Sequence, residues 1–445
     1  MFKKKTKENN AVKESKKSKL FYLKHTLLGN KEVRKKILFT LFIFVIYRYG
    51  CSLTIPGIDN STYSINSDSI FAIMNMMGGG SLSRFSIFAL GISPYITASI
   101  IIQLLAMDVV PSFTEWKKEG EKGRKKTDRA TRYLAVVLAI IQGWSITYGF
   151  DKQYGILGDG ATYRTYVFVI SMLVAGTMLM TWLGDMITLK GIGNGISMLI
   201  FAGIVSELPS TFFANFYNTV YIGYGTEQFV QGIIHFIGFV ILYLLLIFIV
   251  TIIECGEKRI TIQNAQSIGY TGTTVSYLPI KVNPAGVIPV IFAQSLITAP
   301  QVIISFFNHD LYTTLSSKLS LSSGLGLGLY GVLTFLFTFL YTDMILDSQE
   351  ISDNLKKQGS FIPGIRIGKD TKKYLHDIIF QTAFVGAIVL TILALLPYVL
   401  ALFATVTSTT ALGGTGIIVC IGVVLETLHT IESVRTDNKY ATGWF

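Results

Sequence analysis

Ten apolar runs of about 20 residues recur along the 445-residue chain, and this is the length that a helix needs to cross a bilayer. Only 15% of the residues are charged, whereas soluble proteins carry about 25%. The sequence therefore predicts an all-α polytopic membrane protein with ten transmembrane helices. The predicted spans are residues 37–55, 85–107, 133–150, 165–188, 192–213, 228–253, 284–307, 327–346, 378–399 and 413–431.

The positions of lysine and arginine set the orientation of these spans, because cytoplasmic loops carry both residues in excess. If the N-terminus is cytoplasmic, all but five of the 38 basic residues fall in cytoplasmic segments. Both termini are therefore predicted to be cytoplasmic. Residues 1–30 are expected to form a basic tail along anionic lipid, and no cleavable signal peptide is predicted in them. The five exceptions are Arg48, Arg84, Lys152, Arg164 and Lys318.

The ten spans divide into five and five at residues 214–227. An odd number of spans in each half turns the second half upside down relative to the first, as in inverted repeats. We therefore expect two inverted five-helix halves, residues 31–222 and 223–445, with the working site at mid-membrane between them. Sequence self-similarity does not show the repeat, so this expectation depends on the count.

A short apolar piece at residues 70–77 is followed by three glycines, Gly78, Gly79 and Gly80, and then by Arg84. The piece is too short to span, and each glycine destabilises a helix by about 1 kcal/mol relative to alanine. It is either a re-entrant half-helix that enters from outside or a surface loop with a few buried side chains. Irregular backbone at membrane depth is tolerated only where it faces protein or water, so this region suggests a path through the bilayer.

No pattern in the sequence predicts an enzyme, a cofactor or a metal site. The five histidines are scattered, and the three cysteines are placed too far apart for a disulfide framework. The phosphate-loop pattern fails because Pro363 and Asp370 occupy its glycine and hydroxyl positions. The aspartyl intramembrane protease pattern fails at Trp182, and its aspartate, Asp185, is expected at the cytoplasmic end of the fourth span.

Five motifs, in the same order along the chain, resemble the SecY family, the channel subunit of the bacterial protein-translocation machinery. The resemblance extends from about Arg34 to Glu432. It implies a passive pore in the bacterial plasma membrane that conducts unfolded preproteins with signal sequences and releases apolar segments sideways into lipid. The motifs are FSIFALGISPYITASIIIQLL (85–105), WKKEGEKGRKK (116–126), GIGNGIS (191–197), LPIKVNPAGVIPVIFA (278–293) and DNLKKQGSFIPGIR (353–366).

The resemblance also implies a hydrophobic ring at the narrowest point of the pore. By spacing alone, isoleucines four residues apart share a helix face, and most such pairs face lipid or packing neighbours. An apolar ring excludes water and ions, yet deforms around a passing chain. Val419 stands where the family usually has isoleucine. The six ring residues implied are Ile92, Ile96, Ile196, Ile200, Ile291 and Val419.

Residues 70–84 resemble the plug that closes the external funnel of such a channel. Phe71, Ile73 and Asn75 are implied in its helix and Gly78, Gly79 and Gly80 in its hinge, although Asn75 could simply cap the helix. A lateral gate is implied between spans 2 and 3 and spans 7 and 8. Its polar candidates are Thr97, Gln103, Gln142 and Asn283, for which ordinary interhelical packing is the alternative.

Residues 254–281 and 347–374 resemble two cytoplasmic loops that contact the SecA ATPase or the ribosome. Positive-inside topology alone would also explain their basic residues. Two departures weaken the expected docking: 266–276 lacks the usual basic residues, and Ile367 replaces a proline. The resemblance implies the small subunits SecE and SecG as well. The docking candidates are Lys258, Arg259, Lys356, Lys357 and Arg366.

Two other functions stay open on the sequence alone. An accessory Sec channel for a restricted substrate set would fit the altered 266–276 segment. An inverted-repeat secondary transporter would bury ionisable groups at its substrate site. The spans offer few such groups: Arg48 is expected to snorkel outward, and Glu207 and Asp343 lie near the ends of their spans.

Overall fold

The structure is a computed structural model in which long helices pack side by side and a small sheet lies at one end. Most helices begin or end at a residue whose chemistry favours that boundary. The described residues are 31–58, 70–106, 110–158, 162–221, 228–264, 276–307, 314–315, 317–319, 321, 323–403 and 416–431.

The first part of the chain, up to residue 221, contains seven described helices. The last of them continues into a short π-helix, Tyr217–Tyr221. The helices are α1 (Lys31–Ser52), α2 (Ile70–Met77), α3 (Ser93–Leu105), α4 (Pro111–Lys118), α5 (Glu121–Tyr154), α6 (Tyr163–Lys190) and α7 (Gly195–Phe216).

The second part contains further helices and three strands. These are α8 (Gln228–Glu254), β1 (Glu257–Asn264), β2 (Ser276–Lys281), α9 (Ile288–Phe307), α10 (Gly324–Ile345), α11 (Ser348–Lys357), β3 (Ser360–Phe361), α12 (Lys369–Phe403) and α13 (Gly416–Ile431).

Side-chain caps explain several helix starts, because the first backbone N–H groups of a helix have no partner within it. Asn194 accepts a hydrogen bond from the N–H of Ile196 and begins α7. Ser323 and Asp347 do the same for α10 and α11. At the other end of a helix, α5 stops at Gly155, whose φ of 63° is the left-handed conformation that favours glycine.

Each of the ten predicted spans corresponds to one helix of the structure, and the prediction of a helical polytopic membrane protein is confirmed. By length and composition, α5, α6, α7, α8, α10 and α12 could each cross a bilayer. The helices α3, α9 and α13 are apolar but shorter, and α1 begins with a charged turn before its apolar run. Large apolar side chains are exposed along α8, as a lipid-facing surface requires.

The second span differs from its prediction. Residues 85–107 were expected to be helical, but the helix begins only at Ser93. Phe85 has a positive φ of 43° and Gly91 one of 59°, so the chain turns repeatedly before Pro94 starts α3. Hydropathy reports the apolar content of residues 85–92 and not these turns, which is why the boundary was wrong.

The largest buried cluster draws side chains from nine helices, α1, α3, α6, α7, α8, α9, α10, α12 and α13. Both parts of the chain therefore meet in one core. A second cluster joins the residues before α3 to α5 and α6, and Met74 of α2 belongs to it. The short helix α2 is thus packed inside the bundle, although α2 itself is only eight residues long.

The small sheet has the strand order β2-β1-β3 with antiparallel neighbours. Its β3 pairs Phe361 with Gln263 and Ser360 with Asn264, so residues about a hundred positions apart are joined. Its apolar side chains pack on α11 and on the first turns of α12 around the fully buried Leu375. The two long loops therefore form one folded unit at the start of α12, which the membrane-span prediction did not include.

Candidate functional site

The six predicted ring residues all lie in or against the largest buried cluster of the structure. Ile92 and Ile96 lie at the start of α3, Ile196 and Ile200 in the first turns of α7, Ile291 in α9 and Val419 in α13. All belong to the largest buried cluster; Ile196 is partly buried at its edge, and each of the others is at most 6% exposed. The structure thus places all six in the core that both parts of the chain share, and four of them, Ile96, Ile196, Ile200 and Ile291, line one cavity.

Two cavities adjoin these residues. One is lined by Met77 and Gly78 at the end of α2, by Ile92 and Ile96, and by polar residues of α9 such as Gln294. We call it the plug-side cavity. The other is lined by ring residues of α3, α7 and α9 together with Asn194, Ser197 and Tyr341.

The second cavity is named the sheet-side cavity, because Ile288, one of its lining residues, begins α9 shortly after β2. Ile96 lines both cavities. We call the six ring residues the neck; a narrow apolar passage formed by such residues would gate by excluding water.

A third pocket opens between α3, α9 and α10. It is lined mainly by apolar side chains, among them Ile100, Phe292 and Phe337, and Gln103 is its one polar amide. Phe292, Tyr341 and Gln103 also line the sheet-side cavity, so the two spaces adjoin. Sequence reasoning missed the aromatic wall of Phe292 and Tyr341, although Phe292 lies within the motif at 278–293.

The helix α2 and the glycine turn after it close the plug-side cavity. Gly79 and Gly80 have φ values of 66° and 77°, which favour glycine because other side chains are strained there. Asn75 does not cap the start of a helix: its side-chain oxygen accepts a hydrogen bond from the backbone N–H of Ser83 at 2.7 Å. The side chains of Phe71 and Ile73 lie outside the described part of the structure.

The four polar gate candidates occupy different places. Thr97 donates to the carbonyl of Ser93 within α3, and Gln103 donates to the hydroxyl of Ser99 at 2.8 Å. Gln142 is buried in α5. Asn283 lies just before α9 and donates to the carboxylate of Glu254 at the end of α8 and to the carbonyl of Gly286. Of the four, Gln103 lines the pocket between α3, α9 and α10.

The five docking candidates are all exposed on or beside the folded loop unit. Lys258 and Arg259 lie on β1, and Arg259 pairs with Glu257 in the same strand. Lys356 and Lys357 form the last turn of α11. Arg366 follows β3, and its backbone carbonyl accepts a hydrogen bond from Thr371. Residues 266–275, most of the segment expected to weaken docking, lie outside the described residues.

Arg48, expected to snorkel outward, is exposed near the end of α1 and also has hydrogen-bond partners within the structure. Its guanidinium Nη1 donates to the carbonyl oxygen of Gly79 at 2.7 Å and to the hydroxyl of Ser206 at 3.2 Å. The sequence signal was present, because an arginine inside a span marks a functional site more often than chance. What the sequence could not supply was the partner 31 residues further along the chain.

The fold and the arrangement of these cavities are those of a helical membrane channel. The chain belongs to the SecY family, whose model, described as SecY, matches residues 86–428. Protein translocase subunit SecY 1 of Lactobacillus kefiranofaciens subsp. kefiranofaciens is 41% identical over 419 residues, which cover 92% of this chain and 96% of the relative. Protein translocase subunit SecY of Bacillus subtilis strain 168 is 40% identical, with the same two coverages.

Solved structures share the fold. A structure of a protein-conducting channel matches with a TM-score of 0.67 at 20% identity, over 90% of this chain and 92% of its own. Sec61 in the canine ribosome–channel complex from the endoplasmic reticulum matches with a TM-score of 0.63 at 19% identity and the same coverages. A third structure, in which the SecY plug domain is described as stabilising the closed state, has a TM-score of 0.60 at 19% identity. The chain is thus a pore-forming subunit of a protein translocon.

Proposed function

We propose that the chain is a passive channel in the bacterial plasma membrane, with both termini in the cytoplasm, that conducts unfolded preproteins and releases apolar segments into lipid. The observation that carries this proposal is that Ile96, a buried residue of the neck, lines both the plug-side and the sheet-side cavity. The two parts of the chain, residues 31–222 and 223–445, would be the halves that clasp this neck.

The neck works as a seal because water is unstable in a narrow apolar passage. Five of its side chains are aliphatic isoleucines and the sixth is valine, none of which offers a hydrogen bond or charge to an ion. A polypeptide entering the neck supplies its own apolar and backbone surface, so the ring can spread around it without binding it tightly.

The helix α2 and its glycine turn act as the plug that closes the plug-side cavity at rest. Its Met77 and Gly78 line that cavity, and Ile92 and Ile96 line it from α3. A related SecY structure is described as having a plug that stabilises the closed state and maintains a membrane seal. Displacement of α2 would open the passage from the neck to the far side.

The pocket between α3, α9 and α10 is the lateral gate through which apolar segments leave. Its walls are apolar apart from Gln103, and it adjoins the sheet-side cavity. Polar contacts between membrane helices average only about 0.6 kcal/mol, so helices that meet across such a pocket can separate when an apolar signal segment offers its own surface.

Energy for transport comes from a partner docked on the folded loop unit. The exposed basic residues of β1, α11 and the segment after β3 would contact acidic protein surface or RNA phosphate. The partners are the SecA ATPase for secretion and the ribosome for insertion, with SecE and SecG as subunits of the complex and anionic lipids along the basic tail.

The experiment is ATP-dependent protection of a signal-bearing preprotein from protease in proteoliposomes that contain this chain, SecE, SecG and SecA. Protection that requires both ATP and the signal sequence supports the proposal. A preprotein with its signal deleted is the matched control. No protection by a correctly assembled complex that binds SecA would contradict a SecA-driven channel.

A further inference from the structure

The outer ends of α1 and α7 form a seat for the glycine turn that follows the plug helix. Three carbonyl oxygens of the turn each receive a hydrogen bond: that of Gly78 from the thiol of Cys51, that of Gly79 from Arg48, and that of Gly80 from Ser83. Two of these donors belong to α1, which is separate from the plug in the chain.

The contact with α7 is equally close, and it depends on glycine. A methyl group at Gly203 would lie closer than 3.0 Å to the carbonyl oxygen of Met77 and to the hydroxyl of Tyr47. Side chains essentially never make such contacts, so any residue larger than glycine would push α7 and the end of the plug helix apart. One turn further along α7, Ser206 accepts the second hydrogen bond from Arg48 and donates to the carbonyl of Gly203.

The two ionisable residues near the outer ends of α1 and α7 flank this turn. Arg48 lies on one side, and Glu207 approaches Gly80 so closely that a methyl group there would clash with its carboxylate. Neither residue lines either of the cavities around the neck. Their convergence on a backbone turn is unlike a substrate or coupling-ion site, in which the charges face the permeating species.

We propose that Arg48 is a positioning residue whose hydrogen bond to the Gly79 carbonyl, which we call the latch, holds the plug in its closed position. Gly203 leaves the space in which the turn packs against α7. The latch rests on the proposed role of α2 as the plug. Arg48 holds the turn through the Gly79 carbonyl and anchors itself on Ser206, so α1, α7 and the plug are tied at one point. When the plug moves, this hydrogen bond breaks and the guanidinium is left at the outer membrane surface, where water and headgroups can solvate it.

The latch also explains why the turn contains glycine. Gly79 and Gly80 adopt positive φ angles, and this conformation directs successive carbonyl oxygens toward α1 and toward Ser83. The small residues therefore supply more than a flexible hinge. They fix the closed geometry while Arg48 is in place and permit the backbone to rearrange when it is not.

Cys51 supplies a probe that does not depend on transport. Its thiol is 2% exposed beneath the turn, at 3.4 Å from the Gly78 carbonyl oxygen. In a Cys255→Ser, Cys420→Ala background it is the single thiol, because the chain has three cysteines. The rate at which a water-soluble maleimide labels Cys51 then measures how often the turn leaves its seat.

The experiment compares Arg48→Gln, Arg48→Lys and Gly203→Ala in the assembled channel in proteoliposomes, measuring both Cys51 labelling and resting ion efflux. A hydrogen bond from a charged donor is worth about a tenfold change in such an equilibrium. We expect Arg48→Gln to raise the labelling rate about tenfold and to raise efflux, Arg48→Lys to restore part of both, and Gly203→Ala to raise both with Arg48 intact.

The matched controls are Arg164→Gln, an exposed arginine at the start of α6, and Gly238→Ala, a glycine of α8 with nothing within 4 Å of an added methyl group. Assembly with SecE, checked by gel filtration, separates a latch effect from misfolding. The latch is overturned if Arg48→Gln and Gly203→Ala both match the controls while deletion of residues 72–80 raises efflux. If the deletion itself leaves efflux unchanged, the plug role fails and the latch fails with it.

Discussion

Asn75 and Ser83 are joined across the glycine turn of the plug: the side-chain oxygen of Asn75 accepts a hydrogen bond from the backbone N–H of Ser83 at 2.7 Å. The two residues are eight positions apart, and the bond closes a loop around Gly78, Gly79 and Gly80. It ties the last turn of α2 to the chain that leads into α3. The bond from Ser83 to Asn75 therefore fixes the shape of the proposed plug from within, in addition to the proposed contact with Arg48.

We expect Asn75→Ala to loosen the closed plug by about 1 kcal/mol, the usual net worth of one hydrogen bond, and so to raise resting ion conductance several-fold. Asn75→Asp keeps an acceptor oxygen in the same place and should stay close to the wild-type value. Single-channel recordings of the two variants check this. Equal conductance in both would mean that the bond to Ser83 does not hold the plug.

The ring can be tested without changing its size. Val419 is 4% exposed in the central cluster, and threonine has nearly the same shape with one methyl group replaced by a hydroxyl. We expect Val419→Thr to stabilise water in the neck and to raise resting conductance, because an apolar constriction seals by dewetting. Val230→Thr, at an exposed position of α8, is the control for the same substitution facing outward. If the conductance of Val419→Thr equals that of the control, Val419 does not contribute to the apolar seal.

The folded loop unit depends on Leu375, which is fully buried among the apolar side chains of β1, β2, α11 and α12. Leu375→Ala should destabilise this unit by about 2–5 kcal/mol, the range for such a truncation in a core. Trypsin cleavage near Lys258 and Arg259 should then accelerate, while the membrane helices stay resistant. Ile367→Ala, at a position that is 58% exposed, should leave cleavage unchanged. If both variants behave alike, the loops do not fold as one unit.

Docking is tested by charge reversal at Arg366, which is exposed beside the unit. We expect Arg366→Glu to weaken SecA binding and preprotein-stimulated ATP hydrolysis at least tenfold, because a favourable contact becomes a repulsive one. The thermal stability of the complex should change little. Lys318→Glu, at an exposed site between α9 and α10, is the control. Loss of stability parallel to the loss of binding would assign Arg366 a structural role.

The ten spans could be predicted from the sequence because a bilayer demands a minimum apolar length, and that demand is local. The start of α3 could not, because the turns at Phe85 and Gly91 depend on packing and not on hydropathy. The sheet was missed for a related reason. Its pairing of Gln263 with Phe361 links two loops that no local pattern connects.

For the candidate site, too, some features could be predicted from the sequence and others required the fold. Spacing placed Ile92 beside Ile96 on one helix face, but only the resemblance to the SecY family grouped them with Ile291 and Val419. The structure places all four in one buried cluster, whereas Asn283 donates a hydrogen bond to Glu254 at the end of α8. Arg48 was noticed in the sequence as an unusual charge in a span. Its contact with Gly79 required the fold, because the two residues lie in separate elements.

The gate offers a prediction about substrate choice. Gln103 is the one amide of the pocket between α3, α9 and α10, and its side-chain oxygen is buried without a hydrogen-bond partner among the described residues. Replacing it by leucine, which has a similar volume, makes the pocket wholly apolar on that wall. An apolar signal segment would then displace no polar group when it enters the pocket, and no hydrogen bond between helices would be lost with the amide, because the bond that Gln103 donates, to Ser99, lies within α3.

We therefore expect Gln103→Leu to increase export of preproteins with weakly hydrophobic signals by about two- to threefold, with little change for strongly hydrophobic signals that already bind well. Gln142→Leu is the comparison, since Gln142 is a buried amide of α5 that does not line this pocket. Export of paired preproteins that differ only in signal hydrophobicity measures the effect. A uniform gain for both signals would indicate a generally looser channel, and a gain for Gln142→Leu alone would move the selective contact from α3 to α5.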